Sequence, residues 1–535
     1  MSRFIRPLKI GIATFLMACF GSAAHAQAFE GLWHTTAPGL EPALDTSGMM
    51  SLKISKSDDG KFKAQFIHAD RVPSDPGNLP SLRPINGRLS MLVPGMWPIP
   101  SGGRYFKQPV KAEITSIDDG SSLDVTLTDT SGYTIELRFY PDNDTRFDQF
   151  KYPRLGAGGT PVTDYKYSTP SSVSSGFTVS TPKKEGISRR AIEKAVTAYI
   201  SGKYSKRPGF LLIVRNGKLV LEEYFFGATP DRLWLLHSDS KSITSLLAGI
   251  AADEGAIDIN EPINKYFPEY ADSPWMKSTQ NTGVTPRHLL FMANVIGWAD
   301  DGYVKSGSRF NKAFSYPGGF TEGVLQYPVI TTDPDPYFNY NTHLTNLLGE
   351  TVARATGQHL SNYLQDRLLT PLGEERSFFL TESGVEGDPV EAGSTVGMRP
   401  IAMAKIGQLM LNRGDWDGKQ VVSSKWVAES TSVTALKPNP SHDGYGYQWW
   451  HRKYKFKSRK QPVRMVFASG RAGQFICILP DFNAAIVTGA LDFTPGGTTR
   501  QFNFIEQQLL SIFNDGTAVE KLEFGPEDLG VKVLN

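Results

Sequence analysis

Cysteine is nearly absent from this chain. Only Cys19 and Cys477 occur. Cys19 lies in an N-terminal segment expected to be removed, so no internal disulfide is expected in the mature protein. Cys477 falls in an apolar strand pattern and reads as inert core, not as a nucleophile. The nine histidines are scattered, so no zinc-ligand spacing appears, and neither a metal nor a cofactor is expected. An excess of one charge is also lacking. The 56 basic and 54 acidic residues leave a net charge of +2, without the basic blocks of a nucleic-acid footprint. No apolar run reaches the roughly 20 residues of a membrane span. The GxSxG elbow, HExxH and the Walker loop are missing too, which removes three common signatures of hydrolases and nucleotide binders. Internal repeats are absent. An aromatic content of 11% and 51 glycines fit an ordinary globular enzyme.

What is present begins with a processing signal. Arg3, Arg6 and Lys9 precede the apolar run Ile10 to Phe20, and Ala24-His25-Ala26 follows. This is the layout of a secretory signal peptide, residues 1–26, and it predicts a periplasmic or secreted protein. Leu16-Met17-Ala18-Cys19 offers a lipoprotein alternative, weakened by the methionine before the small residue.

Residues 27–155 read as all-β. Met50 to Ser55, Asp58-Asp59-Gly60 and Phe62 to His68 have the form of a hairpin. Val110 to Ile117, Leu123 to Leu127 and Tyr133 to Tyr140 have the form of a meander. A small antiparallel barrel or sandwich is expected, with no catalytic constellation. Residues 156–176, rich in Gly, Ser, Pro and Thr, read as a linker.

The second domain is expected over 177–520, with 521–535 as a tail. Ser188 can cap a helix carrying Ala191, Ile192, Ala195, Val196 and Tyr199. Phe210 to Arg215, Asn216-Gly217 and Lys218 to Phe226 predict a hairpin with a two-residue turn. A helical middle follows, then strand patterns at Met465 to Phe467, Gly473 to Leu479 and Ala484 to Gly489, and a helix near Phe504 to Phe513. The implied class is α+β: an antiparallel sheet flanked by helices, with an inserted helical subdomain.

Ser238-Asp239-Ser240-Lys241 opens an apolar-periodic segment, Ile243, Leu246, Leu247, Ile250, ending at Gly255. A serine and a lysine three apart share one helix face. Serine is a weak nucleophile without an adjacent base, and a lysine kept dry near the positive end of a helix can serve as that base. The Ser238 N–H, at a helix start, can face a developing oxyanion. Ser180-Thr181-Pro182-Lys183 has the same spacing but lies in a Ser/Pro-rich loop, where nothing places its side chains together.

From here the chain resembles the serine β-lactamase and penicillin-binding-protein superfamily. Within it, the class C β-lactamase-like branch, with its esterases and 6-aminohexanoate-dimer hydrolases, is the more similar. Leu212 to Val220, His237 to Gly255, Thr285 to Met292, Phe338 to Asn341, Tyr363 with Pro371-Leu372-Gly373, and Tyr445 to Trp450 carry the resemblance in order, over about residues 185 to 515. It implies Ser238 as nucleophile, Lys241 as its assistant and Tyr340, opening a YxN-type motif, as proton relay. Tyr337-Phe338-Asn339 is a competing literal YxN. Tyr340 is preferred because Leu344, Leu347, Leu348 and Gly349 follow at the family's spacing. Thr342 then stands where asparagine is frequent, as a substrate-binding candidate.

The family's third motif, Lys-Thr-Gly or His-Thr-Gly, is replaced by Ala468-Ser469-Gly470, followed by Arg471. Gly470 lets backbone approach a substrate closely. The Arg471 N–H maps to the second oxyanion donor, and Ser469 can bond substrate. Ala468 supplies no cation for a substrate carboxylate, which points to an ester or uncharged-amide substrate unless the Arg471 side chain substitutes. The implied function is a serine hydrolase acting on a small-molecule ester or amide. A true β-lactamase or D-amino-acid peptidase is one alternative, and a silent ligand-binding protein of the same fold is the other.

Overall fold

The computed structural model describes residues 29–36, 49–67, 81–85, 87–93, 110–117, 120–156, 159–171, 176–278, 283–300, 307–331, 338–379, 388–433, 444–524, 528–531 and 533–534. The signal segment 1–26, His68 and Tyr337 lie outside them. The chain divides into two compact units, Met1–Tyr152 and Pro153–Asn535.

Among the described residues, the first unit holds seven strands paired antiparallel in one sheet. Their order is Phe62–Ile67, Met49–Lys56, Gly31–Thr36, Thr134–Pro141, Ser122–Thr128, Val110–Ile117, Arg88–Val93. Alternate residues reach one core: Leu52 and Ile54, Ala112 and Ile114, Leu123, Val125 and Leu127, the period of two that a half-buried strand dictates. The expected all-β character is present as a single sheet.

The second unit is built on a nine-stranded sheet. Along it lie Gly444–Tyr445, Trp450–Lys455, Val463–Gly470, Gln474–Leu479, Ala484–Ala490, Pro208–Arg215, Lys218–Tyr224 and Thr178–Val179, with Glu520–Leu522 beside Trp450–Lys455. The pairings are antiparallel except that of Thr178–Val179 with Lys218–Tyr224. The Asn216-Gly217 turn holds both residues at positive φ, 52° and 72°, which selects this dipeptide for a two-residue hairpin.

Alternation again sorts the core. Leu212, Val214, Val466, Ala468, Ile476 and Ile478 face the apolar layer that holds the Ser240–Asp253, Thr342–Thr356 and Pro400–Leu411 helices. Leu211, Ile213, Met465, Phe467, Phe475 and Cys477 face the other layer, formed by the Arg189–Ile200 helix and the chain from Gly497 to Phe513. Ser188 caps the Arg189–Ile200 helix, accepting from Ala191 N at 3.2 Å. Burial pushes the Cys477 thiol well above its usual range, as inert core requires. Among the described residues, no helix is long and apolar enough to cross a membrane.

Two segments differ from the sequence expectation. The stretch read as a linker packs along the second unit. Tyr165 is 1% exposed in its core, its hydroxyl donates to Glu223, and Tyr167 Oη donates to Val220 O at 2.9 Å. Two tyrosines bring more apolar area than the surrounding Ser, Thr and Pro suggest. The stretch read as a tail closes the sheet edge: Glu520–Leu522 pairs with Lys453 to Lys455, and the buried Asp528 carboxylate accepts from Lys453 and Arg464.

Candidate active site

The candidate nucleophile sits on a 3-10 turn, His237–Asp239, immediately before the Ser240–Asp253 helix. The α-helix thus starts two residues later than the pattern suggests. His237 adopts a positive φ of 49°, a costly conformation for a residue with a side chain, and this turns the chain sharply into Ser238. Hydroxyls stitch the helix start to the segment 390–396. Val396 N donates to Ser240 Oγ at 3.0 Å, and Thr244 Oγ1 donates to Ala392 O at 2.8 Å. Leu236 N adds a bond to Val396 O at 2.8 Å. The second SxxK makes no comparable arrangement: Ser180 Oγ donates to Glu185 at 2.6 Å.

Lys241 is 2% exposed. Its Nζ lies 3.4 Å from Ser238 Oγ, 2.9 Å from Thr342 Oγ1 and 2.8 Å from Gly393 O. It also stands 4.9 Å from the centroid of the Tyr340 ring, which stacks on Trp450 at 5.7 Å. The structure therefore brings Ser238, Lys241, Tyr340 and Thr342 together. Of the competing motif, Tyr337 lies outside the described residues, and Asn339 Nδ2 donates to Asn294 Oδ1 at 2.6 Å.

Thr342 differs from the substrate-binding expectation. It is 6% exposed, and its hydroxyl lies between Lys241 and Asp300, donating to Asp300 Oδ2. Its N–H donates to Asp300 Oδ1 at 2.8 Å, which satisfies a free donor at the first turn of the Thr342–Thr356 helix. Asn341 caps the same helix, accepting from His343 N at 2.9 Å.

The end of the Val463–Gly470 strand closes on the nucleophile turn. A Cβ on Gly470 would lie 2.1 Å from Leu236 O and 3.3 Å from Asp239 Oδ1. Here the close approach that glycine permits is to the nucleophile's own turn. Ser469 is half-buried, and Ala468 is 1% exposed among the apolar side chains of the layer that holds the Ser240–Asp253 helix. The exposed Arg471 places its guanidinium 5.5 Å from the Phe493 ring, and Phe493 meets the His237 ring at 5.4 Å. His237, Phe493 and Arg471 are thus linked side by side next to Ser238. Asp239 is fully buried, and burial holds its carboxyl well above the usual carboxylate range.

Sequence reasoning missed Asp300, Gly393, Glu391 and Phe493. Burial raises the Glu391 carboxyl above its ordinary range, against the lowering effect of the Ser394 hydroxyl. Gly393 contributes a main-chain carbonyl, which no side-chain motif announces. A Cβ there would lie 2.7 Å from Thr342 Cγ2 and 3.0 Å from Thr342 O, so a glycine there lets the loop close. Asp258, Glu261 and Glu269 form no carboxylate pair. Asp258 accepts from Asn260, Glu261 pairs with Lys265 and Glu269 with Arg354. The first unit joins His34 to Ser51 at 2.8 Å and to Asp142 at 2.7 Å. Ser51 is only 8% exposed and stands directly opposite His34 in the strand pairing, so this network fastens the sheet.

The Beta-lactamase family profile matches residues 192–497. The 6-aminohexanoate-dimer hydrolase of Paenarthrobacter ureafaciens is 28% identical over 256 residues, covering 45% of this chain and 63% of the relative. The monacolin J acid methylbutanoyltransferase of Aspergillus terreus is 25% identical over 165 residues, 27% of this chain and 37% of the relative. The chain thus spans less than two thirds of the length of these curated relatives. Among solved structures, an octameric penicillin-binding protein homologue from Pyrococcus abyssi covers 61% of this chain and 78% of its own, at 19% identity and a TM-score of 0.48. The family match takes in more than half of the chain, including the hairpin, the Ser238 turn, the Thr342 helix and the central strands; this protein belongs to the Beta-lactamase family and has its hydrolase fold.

Proposed function

We propose that the protein is an exported serine hydrolase that cleaves small-molecule esters or amides through an acyl-enzyme on Ser238. The observation that carries this reading is the buried Lys241 amine held 3.4 Å from the Ser238 hydroxyl. A structural lysine is seldom buried without a carboxylate partner, and here the direct partners are two neutral oxygens and the candidate nucleophile.

In the first step Ser238 Oγ bonds to the substrate carbonyl carbon, and its proton passes to Lys241. The carbonyl oxygen becomes an oxyanion, which the N–H groups of Ser238 and Arg471 are assigned to receive. Collapse breaks the bond to the leaving alcohol or amine, which takes the proton from Lys241 by way of the Tyr340 phenol. A water then attacks the acyl ester, gives one proton to the same base and releases the carboxylic acid, and Ser238 Oγ recovers its hydrogen. Ser469 and Gly470 line the edge along which the acyl group lies. Ala468 provides no cation for a substrate carboxylate, which favours neutral esters or amides over β-lactams. Export rests on the signal pattern of residues 1–26.

The test compares wild type with Ser238→Ala on p-nitrophenyl acetate and on nitrocefin. Wild type is expected to turn over the ester well and nitrocefin poorly, and the variant to lose several orders of magnitude on the ester. Equal ester rates in the two proteins refute the assignment. Fast nitrocefin turnover by wild type refutes the substrate preference alone.

A further inference from the structure

Among the described residues, the Lys241 nitrogen has three hydrogen-bonding neighbours, and each restricts it differently. Gly393 O at 2.8 Å is a carbonyl and can only accept. Thr342 Oγ1 at 2.9 Å belongs to a hydroxyl, which could in principle accept or donate. Its one hydrogen, however, is given to Asp300 Oδ2. Asp300 is held in that role because its other oxygen accepts the Thr342 N–H at 2.8 Å, while its own N–H donates to Tyr340 O at 3.0 Å. Toward the lysine, Thr342 therefore only accepts. In the base form that the proposed reaction uses, the amine carries two hydrogens and one lone pair. The two acceptors take the two hydrogens, and the remaining direction, toward Ser238 Oγ at 3.4 Å, is left to the lone pair.

We infer that Asp300 is a positioning residue which, by taking the Thr342 hydroxyl hydrogen, aims the Lys241 lone pair at Ser238. The inference rests on the reading of Ser238 as nucleophile and Lys241 as base. The step it prepares moves one proton from Ser238 Oγ to Lys241 Nζ as the Oγ–carbon bond forms. The resulting ammonium keeps its bonds to Thr342 and Gly393 and gains a third hydrogen, which is the one later delivered to the leaving group.

Asparagine at position 300 reverses the relay while keeping its shape. Its carbonyl oxygen takes the Thr342 N–H, and its NH2 group then faces Thr342 Oγ1 as a donor. The hydroxyl hydrogen is released and turns to the acceptor left within reach, the lysine lone pair. Acylation slows because the base is occupied, and raising the pH does not restore it, because what is lost is direction, not charge.

The experiment measures the second-order rate of Ser238 labelling by a fluorophosphonate at pH 7 and pH 9, with thermal melts as folding controls. Asp300→Asn is expected to slow labelling by about tenfold to a hundredfold at both pH values, the factor expected for misdirecting one charge-assisted hydrogen bond. In a Thr342→Val background, which has no hydroxyl to turn, Asp300→Asn is expected to change the rate less than about twofold. A carboxylate that only capped the helix gives the same loss in both backgrounds, and that result overturns the proposal. Wild-type labelling of Asp300→Asn does so as well. If Asp300→Asn does not fold, Thr342→Ser decides: by keeping the hydroxyl it is expected to recover most of the rate lost in Thr342→Val, and equal losses in the two overturn the relay. Absence of labelling on wild-type Ser238 is a separate failure, which removes the hydrolase reading itself and the relay with it.

Discussion

Gly470→Ala isolates the contact that joins the sheet edge to the nucleophile. Gly470 has φ −113° and ψ 153°, an extended conformation that alanine adopts freely, so any effect is steric. The new methyl would lie 2.1 Å from Leu236 O, where real Cβ atoms stay beyond about 3.0 Å. Strand end and turn must therefore separate by roughly 1 Å. The neighbour is a backbone carbonyl that cannot rotate aside, and Asp239 Oδ1 at 3.3 Å limits escape on another side. Overpacking of this kind costs about 1–3 kcal/mol. The kinetic effect is larger: a misplacement of about 1 Å near reacting atoms costs on the order of a hundredfold. Leu236 leads directly into His237 and Ser238, so the displacement is passed to the nucleophile. The assay is kcat/KM for p-nitrophenyl acetate together with a thermal melt. The expected result is a lowered melting temperature and a kcat reduced by about a hundredfold. Unchanged kcat in a protein whose melting temperature is also unchanged refutes the packing argument. A lower melting temperature with full kcat refutes the link from this contact to Ser238.

The buried stretch 159–171 and two buried histidines give further tests. Tyr165→Ala is expected to destabilise the second unit by about 3–5 kcal/mol in urea unfolding, as for other large aromatic truncations in a core; a change within about 0.5 kcal/mol would show that the stretch is dispensable. Burial lowers His343 to about 4 and His451 to about 3, so both stay neutral in the folded state while the unfolded chain binds protons below about 6.5. Their contribution is complete above that pH and is lost as pH falls toward the folded values, roughly 2 kcal/mol each between pH 6.5 and pH 5. Asp239 and Glu391, raised by burial, change stability in the opposite direction as pH falls. The readout is therefore the difference between wild type and His451→Leu: the variant should lose about 2 kcal/mol less on going from pH 7 to pH 5, and parallel pH profiles refute the assignment.

The Ser238-to-Lys241 spacing was legible because a helix start fixes which side chains share a face, and the apolar period after it is strong. The Asn216-Gly217 hairpin was legible for a similar reason: that dipeptide accepts two positive φ values in a row. Tyr340 was preferred over Tyr337 from the helix pattern that follows it, and its ring lies 4.9 Å from the Lys241 amine. Asp300 was not legible. It lies in a loop after Trp298 and meets Thr342 only through the tertiary fold, with no fixed spacing to announce it. The Gly393 carbonyl was invisible for a different reason, since a backbone acceptor leaves no side-chain signature. Residues 156–176 misled because composition was read without Tyr165 and Tyr167, whose buried rings outweigh the small polar residues around them.

Peptide mapping by mass spectrometry after fluorophosphonate treatment tests the central claim most directly. The account predicts one adduct per folded chain, on Ser238, and none in Ser238→Ala. A folded wild-type protein without an adduct, or an adduct that survives in Ser238→Ala, contradicts it.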